Sequence, residues 1–290
     1  MVRFSVVVPA YNAAATLSST LDALLEQSLD DWECVIVDDG STDDTLAIAR
    51  GYAADDSRFR VLSQPNAGTG GAYNTGVSGA RGEYVVLCSA DDILLPEHLA
   101  EMAALIAREP GFDIYSTNGF LWTPEGDVRR VVYQPGEVAQ SWSLEELIDR
   151  CFYSVGATYR RGLFDSVGGY RTAVFGEDYD FWLRAMAQGA RHCYLSTPLA
   201  LHRVSTTQKS ADLVKAYTSD IRLLKDLRST VNLSAQERQA VARRITEARA
   251  IIAGIRKENR LHRIRLLRAS DAAWLRPVRR VYRAARRLAR

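Results

Sequence analysis

The 290-residue sequence predicts an α/β protein, a mostly parallel sheet flanked by helices with a helical extension after it. Three observations predict it. Short runs rich in Val and Ile alternate with stretches of helical period, each run ends in turn-forming residues, and beyond Lys209 the pattern becomes purely helical. The division falls at that change, giving an α/β unit over 1–208 and a helical, basic extension over 209–290.

The elements follow in order. Phe4 to Val8 is a strand, and Ala13 to Gln27 a helix with Leu17, Leu21, Leu24 and Leu25 on one face. Glu33 to Val37, Phe59 to Leu62 and Tyr84 to Cys88 are further strands, separated by helices over Asp43 to Ala54 and about Gly70 to Ala80. That β-α-β-α-β-α-β order belongs to a parallel sheet covered by helices. A hairpin follows in "IYSTNGFLWTPEGDVRRVVY", turning at Pro124 to Gly126. In the extension Ser234 and Glu237 form a capping box, after which Val241, Ile245, Ala248, Ile252 and Ile255 mark a long amphipathic helix; a last helix starts near Pro277.

Composition bounds the setting. Hydrophobic content of 47% is that of an ordinary globular protein. The first apolar run, Val6 to Val8, stops at Pro9, and no later run approaches the length needed to span a bilayer, so the sequence predicts a cytoplasmic protein. Cys34, Cys88, Cys151 and Cys193 are scattered without a C-x-x-C pair and are expected as buried free thiols, and His98 and His192 as structural residues. The net charge of +2 conceals a division: from Arg249 to Arg290 there are 14 Lys and Arg against Glu258 and Asp271, about +12, which leaves about −10 for the rest.

Parallel sheets bind ligands beyond the carboxyl ends of their strands, and those ends carry the unusual residues: "PAYN", "DDGSTDDT", "QPNAGTGG" and "SADD". Two of them hold paired carboxylates, Asp38 with Asp39 and Asp91 with Asp92. Adjacent like charges repel and lose solvation at the mouth of a core, so a positive group is expected between or beside them. Plainer roles stay open, with Asp38 anchoring the turn at Gly40, Asp43 capping the second helix and Asp91 capping a helix near Pro96. The glycines of "NAGTGGAYNTG" lack the spacing of a dinucleotide fingerprint. A second acidic concentration, "GEDYDFWLRA", sets Glu177 and Asp178 on the first turn of a helix whose Phe181, Trp182 and Ala185 face inward.

"SVVVPAYN", "VIVDDGSTDDT", "NAGTGGAYNTGVSGARGEYVVLCSADD" and "FGEDYDFWLRA", in that order, resemble the successive motifs of the family 2 inverting glycosyltransferases, whose catalytic domain has the GT-A fold. The resemblance covers about residues 4 to 205 and implies a nucleotide-diphosphate sugar as donor, with Mn²⁺ or Mg²⁺. It implies that Pro9, Ala10 and Tyr11 border the nucleotide and that Asp39 accepts a hydrogen bond from the base. Gly68, Asn74, Ala90 and Asp91 would complete the donor site. Asp91 and Asp92 would hold the metal, with His202 as a less secure third ligand. Asp178 would be the general base of a displacement that inverts the anomeric centre, with Glu177 orienting it or holding the acceptor.

The chain departs from the family pattern at three places. Ser89 stands for the first aspartate of the D-x-D motif, Tyr73 for a customary Arg, and Ser205 for the histidine of a Tyr-Arg-any-His run, where His202 takes the tyrosine position. Two alternatives follow: a degenerate scaffold that binds sugar nucleotides without transfer, and a sugar nucleotidyltransferase, although "VPAYNAA" is not the G-x-G-T-R-type loop of the latter.

The tail combines an apolar stripe, Trp274, Val278, Val281, Ala285 and Leu288, with seven arginines from Arg276 to Arg290. An anionic membrane surface is the expected partner, placing the protein peripherally at the inner face of the cell membrane; a protein surface is second and nucleic acid is not expected. The acceptor is expected to be a carbohydrate or lipid-linked sugar in cell-surface polysaccharide or glycolipid synthesis, and a homo-oligomer is allowed.

Overall fold

The computed structural model describes residues 3–123, 126–134, 137, 139–151, 155–204 and 212–262. Its first half follows the predicted alternation: β1 (Phe4–Ala10), α1 (Leu17–Leu25), β2 (Trp32–Asp38), α2 (Thr45–Asp55), β3 (Phe59–Ser63), α3 (Gly68–Gly79) and β4 (Tyr84–Leu87). β1 lies between β2 and β4, parallel to both. Covered on both faces, these strands are continuously apolar: Val6, Val7, Val8, Val35, Ile36, Val37, Val85 and Val86 are fully buried. α3 lies close over them because Gly76 has no side chain; a Cβ there would stand 2.3 Å from Val7 Cγ1. On α1 the inward stripe is Leu17, Leu21 and Leu24, whereas Leu25, expected on that face, is 42% exposed where the helix ends.

The second half changes direction. After β5 (Ile93–Leu94) and α4 (His98–Arg108) come β6 (Ile114–Thr123) and β7 (Gly126–Val131), which pair antiparallel as the expected hairpin. Pro124 and Glu125 of its turn lie outside the described residues. Then follow α5 (Leu144–Asp149), β8 (Thr158–Arg160), α6 (Arg161–Val167), α7 (Glu177–Ala187) and β9 (His192–Arg203). Among the described residues the sheet has nine strands and runs β3-β2-β1-β4-β8-β6-β9-β5, with β7 on β6. β8 is antiparallel to β4 and β6, and β9 is parallel to β6 and antiparallel to β5. The sheet is therefore mixed rather than mostly parallel: the β3-β2-β1-β4 half is parallel as expected, and four of the eight strand pairings, all in the second half, are antiparallel.

The extension is helical: α8 (Leu213–Thr230) and α9 (Ala235–His262). The capping box forms, Ser234 N donating to Glu237 Oε2 at 2.6 Å and Glu237 N to Ser234 Oγ at 3.2 Å. Leu223, Leu224, Leu227, Leu233, Ala240, Val241 and Ile245 join the buried cluster that contains the sheet. Arg171 pairs with Asp226 at 2.6 Å and Arg243 with Asp149 at 2.5 Å, tying both helices to the α/β body. Among the described residues no helix is long and apolar enough to cross a membrane. The predicted tail helix and its arginines, 263–290, and Ser205 lie outside the described residues.

All four cysteines are free, three of them buried and Cys151 partly so. His98 is wholly buried, its Nδ1 3.1 Å from Leu199 O and its Nε2 3.1 Å from Gly156 O. His192 is also wholly buried, 2.7 Å from Ser116 Oγ.

Candidate active site

The ends of β1 and β2 are laced together by short polar side chains. Asn12 N donates to Ser41 Oγ at 3.0 Å, Thr42 N to Asn12 Oδ1 at 2.8 Å, and Ala14 N to Asp43 Oδ2 at 3.1 Å. Asp38 anchors the turn, accepting from Ser41 N at 3.2 Å and from Ser63 Oγ at 3.1 Å. Asp44, not the expected Asp43, is the N-cap of α2 and makes no side-chain cap bond; Asp43, one residue before it, accepts from Thr45 N at 3.0 Å. Asp39 is buried and its Oδ1 accepts from Gln64 Nε2 at 2.7 Å and Ala67 N at 2.9 Å, which fixes the carboxylate rigidly at the edge of this loop. Of the neighbouring expected donor contacts Ala10 is buried, Pro9 half-buried and Tyr11 52% exposed, presenting its ring to solvent.

α3 and α7 are bound to each other behind the site. Asn74 Nδ2 donates to Tyr170 O and its Oδ1 accepts from Tyr170 N, both at 2.8 Å, so the amide is committed to holding the loop before α7. Tyr73, at the customary arginine position, stacks on Tyr170 at 5.1 Å, and Tyr170 on Phe181 at 4.5 Å. Gly70 allows the same approach, since a Cβ there would meet Arg171 O at 2.8 Å and Glu177 Cβ at 3.5 Å. Gly68 opens α3 with φ +75°.

The carboxylates after β4 occupy different surroundings. Asp92 is 1% exposed, and its Oδ1 accepts from His202 Nδ1 at 2.9 Å and from Arg203 N at 3.1 Å, which joins the β4 end to β9. Asp91 is half-buried; burial, then the charge of Asp92, push its carboxyl up to about 6. The Asp91 carbonyl accepts from Arg203 Nε at 3.2 Å, and the Ala90 carbonyl from Thr16 Oγ1 at 2.8 Å. α4 has Glu97, not Asp91, at its N-cap, so Asp91 is not used as a helix cap. Burial by itself would lower the His202 pKa, but Asp92, Asp91 and Asp178 outweigh it and raise the imidazole above its usual value.

These groups meet in a cleft of about 460 Å³ lined by residues from both halves of the chain. Of the expected site residues Asp92, Glu177, Asp178 and His202 line it, together with Ser89 and Tyr73, while Asp91 and the β1 and β2 loop residues lie outside that lining. Glu177 is 8% exposed and Asp178 half-buried on the first turn of α7, where the helix N-terminus favours their charge. Burial raises the Tyr73 phenol, and the charges of Asp178 and Glu177 raise it further.

The cleft also holds residues that sequence reasoning missed. Tyr133, Tyr179, Asp220 and Arg244 also line it. Asp220 and Arg244 come from the extension and pair at 3.3 Å. A signal was available in the sequence: Asp220 lies three and four residues before Leu223 and Leu224, and Arg244 three after Val241 and four before Ala248, so each charge falls within an apolar stripe.

The chain resembles several known proteins. It is 32% identical over 209 residues to the uncharacterized glycosyltransferase EpsJ of Bacillus subtilis, a match covering 69% of this chain and 60% of that protein. It is 34% identical over 198 residues to a PGL/p-HBAD biosynthesis glycosyltransferase of Mycobacterium bovis, covering 64% of this chain and 71% of that protein. Its fold is similar to the crystal structure of S. aureus TarS 1-349 in complex with UDP-GlcNAc, with a TM-score of 0.69 at 24% identity over 85% of this chain and 72% of that one. The family model "Glycosyl transferase family 2" matches residues 5–168, which takes in β1 through α6 and the paired carboxylates after β2 and β4, and the chain belongs to that family.

Proposed function

We propose that the cleft transfers a glycosyl group from a nucleoside-diphosphate sugar to an acceptor hydroxyl in one displacement, with inversion at the anomeric carbon. The observation that carries the reading is the position of Asp178. It stands on a helix N-terminus in a cleft that it shares with Asp92, His202 and Asp220, and its charge acts on both His202 and Asp220. A base between a donor end and an acceptor end needs that position.

In the reaction the acceptor oxygen attacks the anomeric carbon while the bond to the diphosphate oxygen breaks and the diphosphate leaves with its electron pair. Asp178 takes the hydroxyl proton, and the buried Glu177 beside it holds the acceptor or orients the base. Tyr11 and the rigid Asp39 border the nucleotide, with Pro9, Ala10, Gly68 and Ala90 shaping the same side. Asn74 acts one step away, through Tyr170.

The carboxylates fit a divalent ion that arrives with its donor. Among the described residues no three His, Cys, Asp or Glu form a closed metal cage, and Mg²⁺ or Mn²⁺ characteristically takes one or two carboxylates plus substrate phosphates. Asp91 and Asp92 would hold it, and His202, whose Nδ1 is engaged by Asp92, would orient that carboxylate. Bound there, the ion would neutralise charge developing on the leaving diphosphate. We place the reaction in cell-surface polysaccharide or glycolipid synthesis, in line with the biosynthetic glycosyltransferase that the chain resembles.

A second reading, a sugar-nucleotide-binding scaffold without transfer, draws on Ser89 and Tyr73, two departures that lie in the cleft itself. One experiment separates the two. Incubated with UDP-, GDP-, dTDP- and CDP-sugars, the wild type should hydrolyse or transfer one of them, and Asp178→Asn should lower that rate by about 10²-fold or more with nucleotide affinity nearly unchanged. Wild-type binding without turnover selects the scaffold, and an Asp178→Asn variant as fast as wild type removes Asp178 from the base role.

A further inference from the structure

We infer that Asp220 and Arg244, contributed by the helical extension, form the acceptor subsite and select an uncharged sugar or polyol. The inference rests on the glycosyltransferase reading above and adds the acceptor's chemical class to it.

The first observation is where the pair sits. Tyr179 feels Asp220, Arg244 and Cys151, Tyr133 OH donates to Cys151 O at 3.1 Å, and all five line the cleft, so they form one group in its lining. Tyr73, Asp92 and His202 form a second, through the 2.9 Å contact of His202 Nδ1 with Asp92 Oδ1 and the charge of Asp92 on Tyr73. Asp178 lines the same cleft and its charge acts on members of both groups, on Tyr73 and His202 and on Asp220. With the donor diphosphate at the Asp92 group, the Asp220 group is left for the molecule whose hydroxyl Asp178 deprotonates.

The second observation is that packing does not account for the pair. Both residues interrupt apolar stripes, and an ion pair in such a place adds little to stability compared with apolar side chains of similar volume. Arg244 spans the face of Tyr217 at 5.5 Å and reaches Asp220, yet its buried Nε finds no acceptor among the described residues. Burial raises the Asp220 pKa, Arg244 opposes the rise, and Asp178 adds to it.

The chemistry of the acceptor follows from charge. Among the described lining residues Asp92, Glu177, Asp178 and Asp220 are acidic, and Arg244 is the one permanent cation, already paired. An anionic acceptor would enter a surplus of negative charge at short range. A neutral sugar would not. A carboxylate beside a guanidinium offers an acceptor and donors side by side, which matches adjacent hydroxyls: one donates to Asp220 while the next accepts from Arg244. Tyr133, Tyr179, Val132 and Val155 supply apolar surface for the C–H face of the ring.

The test uses the full chain with whichever nucleotide sugar the wild type hydrolyses, and three kinds of acceptor probe: 4-nitrophenyl glycosides of neutral hexoses, a 4-nitrophenyl glucuronide and a hexose 6-phosphate. Neutral glycosides should be used about tenfold or more better in kcat/KM, and Asp220→Asn and Arg244→Gln should each raise acceptor KM about tenfold with donor KM unchanged. Preference for a charged probe, hydrolysis without transfer to any neutral probe, or folded variants with wild-type acceptor KM would overturn the assignment. Should either variant fail to fold by its melting curve, the wild-type preference decides alone. Absence of donor hydrolysis and of transfer in the wild type would instead remove the glycosyltransferase reading, and the subsite with it.

Discussion

His202 and Asp92, 110 positions apart, meet at 2.9 Å through Nδ1 and Oδ1, and the same oxygen accepts the Arg203 amide at 3.1 Å. A buried carboxylate that loses a partner carries a desolvation penalty of about 1–3 kcal/mol. His202→Ala should therefore lower stability by about that amount and also weaken nucleotide binding, because Asp92 lines the cleft. Denaturant titration and calorimetry with UDP or GDP in Mn²⁺ would measure the two effects; a variant as stable as wild type would mean that the contact is idle.

If the paired carboxylates Asp91 and Asp92 hold a divalent ion with the donor, nucleotide binding should depend on a cation. Chelator should abolish turnover, Mn²⁺ or Mg²⁺ should restore it, and Asp91→Ala should remove the cation-dependent part of nucleotide affinity. Equal affinity for nucleoside diphosphate with and without excess chelator would show that Asp91 and Asp92 serve another purpose.

Gly70 should be intolerant of a methyl group. Its Cβ would lie 2.8 Å from Arg171 O, a backbone atom six residues before Glu177, so Gly70→Ala must displace the loop that sets α7. A stability loss of about 1–3 kcal/mol and a tenfold or greater loss of transfer are expected. Gly51→Ala, where a Cβ meets nothing within 4 Å, is the control and should be neutral or slightly stabilising.

Two buried histidines should make the fold acid-sensitive. Burial lowers His98 to about 4, its two carbonyl neighbours only partly opposing this, and burial lowers His192 to about 3, from the ordinary value of 6.5. Below pH 6.5 the unfolded chain binds protons that the folded chain refuses. Their contribution is thus complete above that pH and is lost as pH falls toward 4 and then 3, at about 1.4 kcal/mol per histidine per pH unit. His98→Gln should flatten the slope of stability between pH 6 and 4.5; an unchanged slope would show that the imidazole charges without cost.

The arginine-rich tail should bind an anionic surface. With about 1 kcal/mol per basic residue near an anionic surface, the full chain should sediment with vesicles containing anionic lipid and be released by salt, whereas a chain ending near Ser270 should stay in solution. Equal sedimentation of both chains would assign the tail to another role.

What was legible in the sequence was local. Turn and capping chemistry at the β1, β2 and β4 ends is written in consecutive residues, so Asp38, Asp39, Asp91 and Asp92 could be found without coordinates, as could Glu177 and Asp178. The rest of the lining was not legible in the same way. Tyr133, Tyr179, Asp220 and Arg244 come from four separate segments and meet only because α8 and α9 fold back on α5 and α7, and polar residues on long helices ordinarily belong to solvated faces. Nor did periodicity show that β9 enters the sheet between β6 and β5, since strand order depends on pairing rather than on any one strand's composition.

That position of β9 bears on the order in which the molecule is made. β3, β2, β1 and β4 are complete by Leu87 and can associate while the chain is still being synthesised, but Ile93 and Leu94 have no partner until Leu201 and Ala200 have emerged. Asp92, the residue immediately before that edge, waits with them for His202. The loops at the ends of β1 and β2 would thus take shape early on the ribosome and the Asp92–His202 corner last. Pulse-labelled hydrogen exchange during refolding should find amides of β1 and β2 protected before those of β5 and β9; simultaneous protection would mean that the sheet closes in one step.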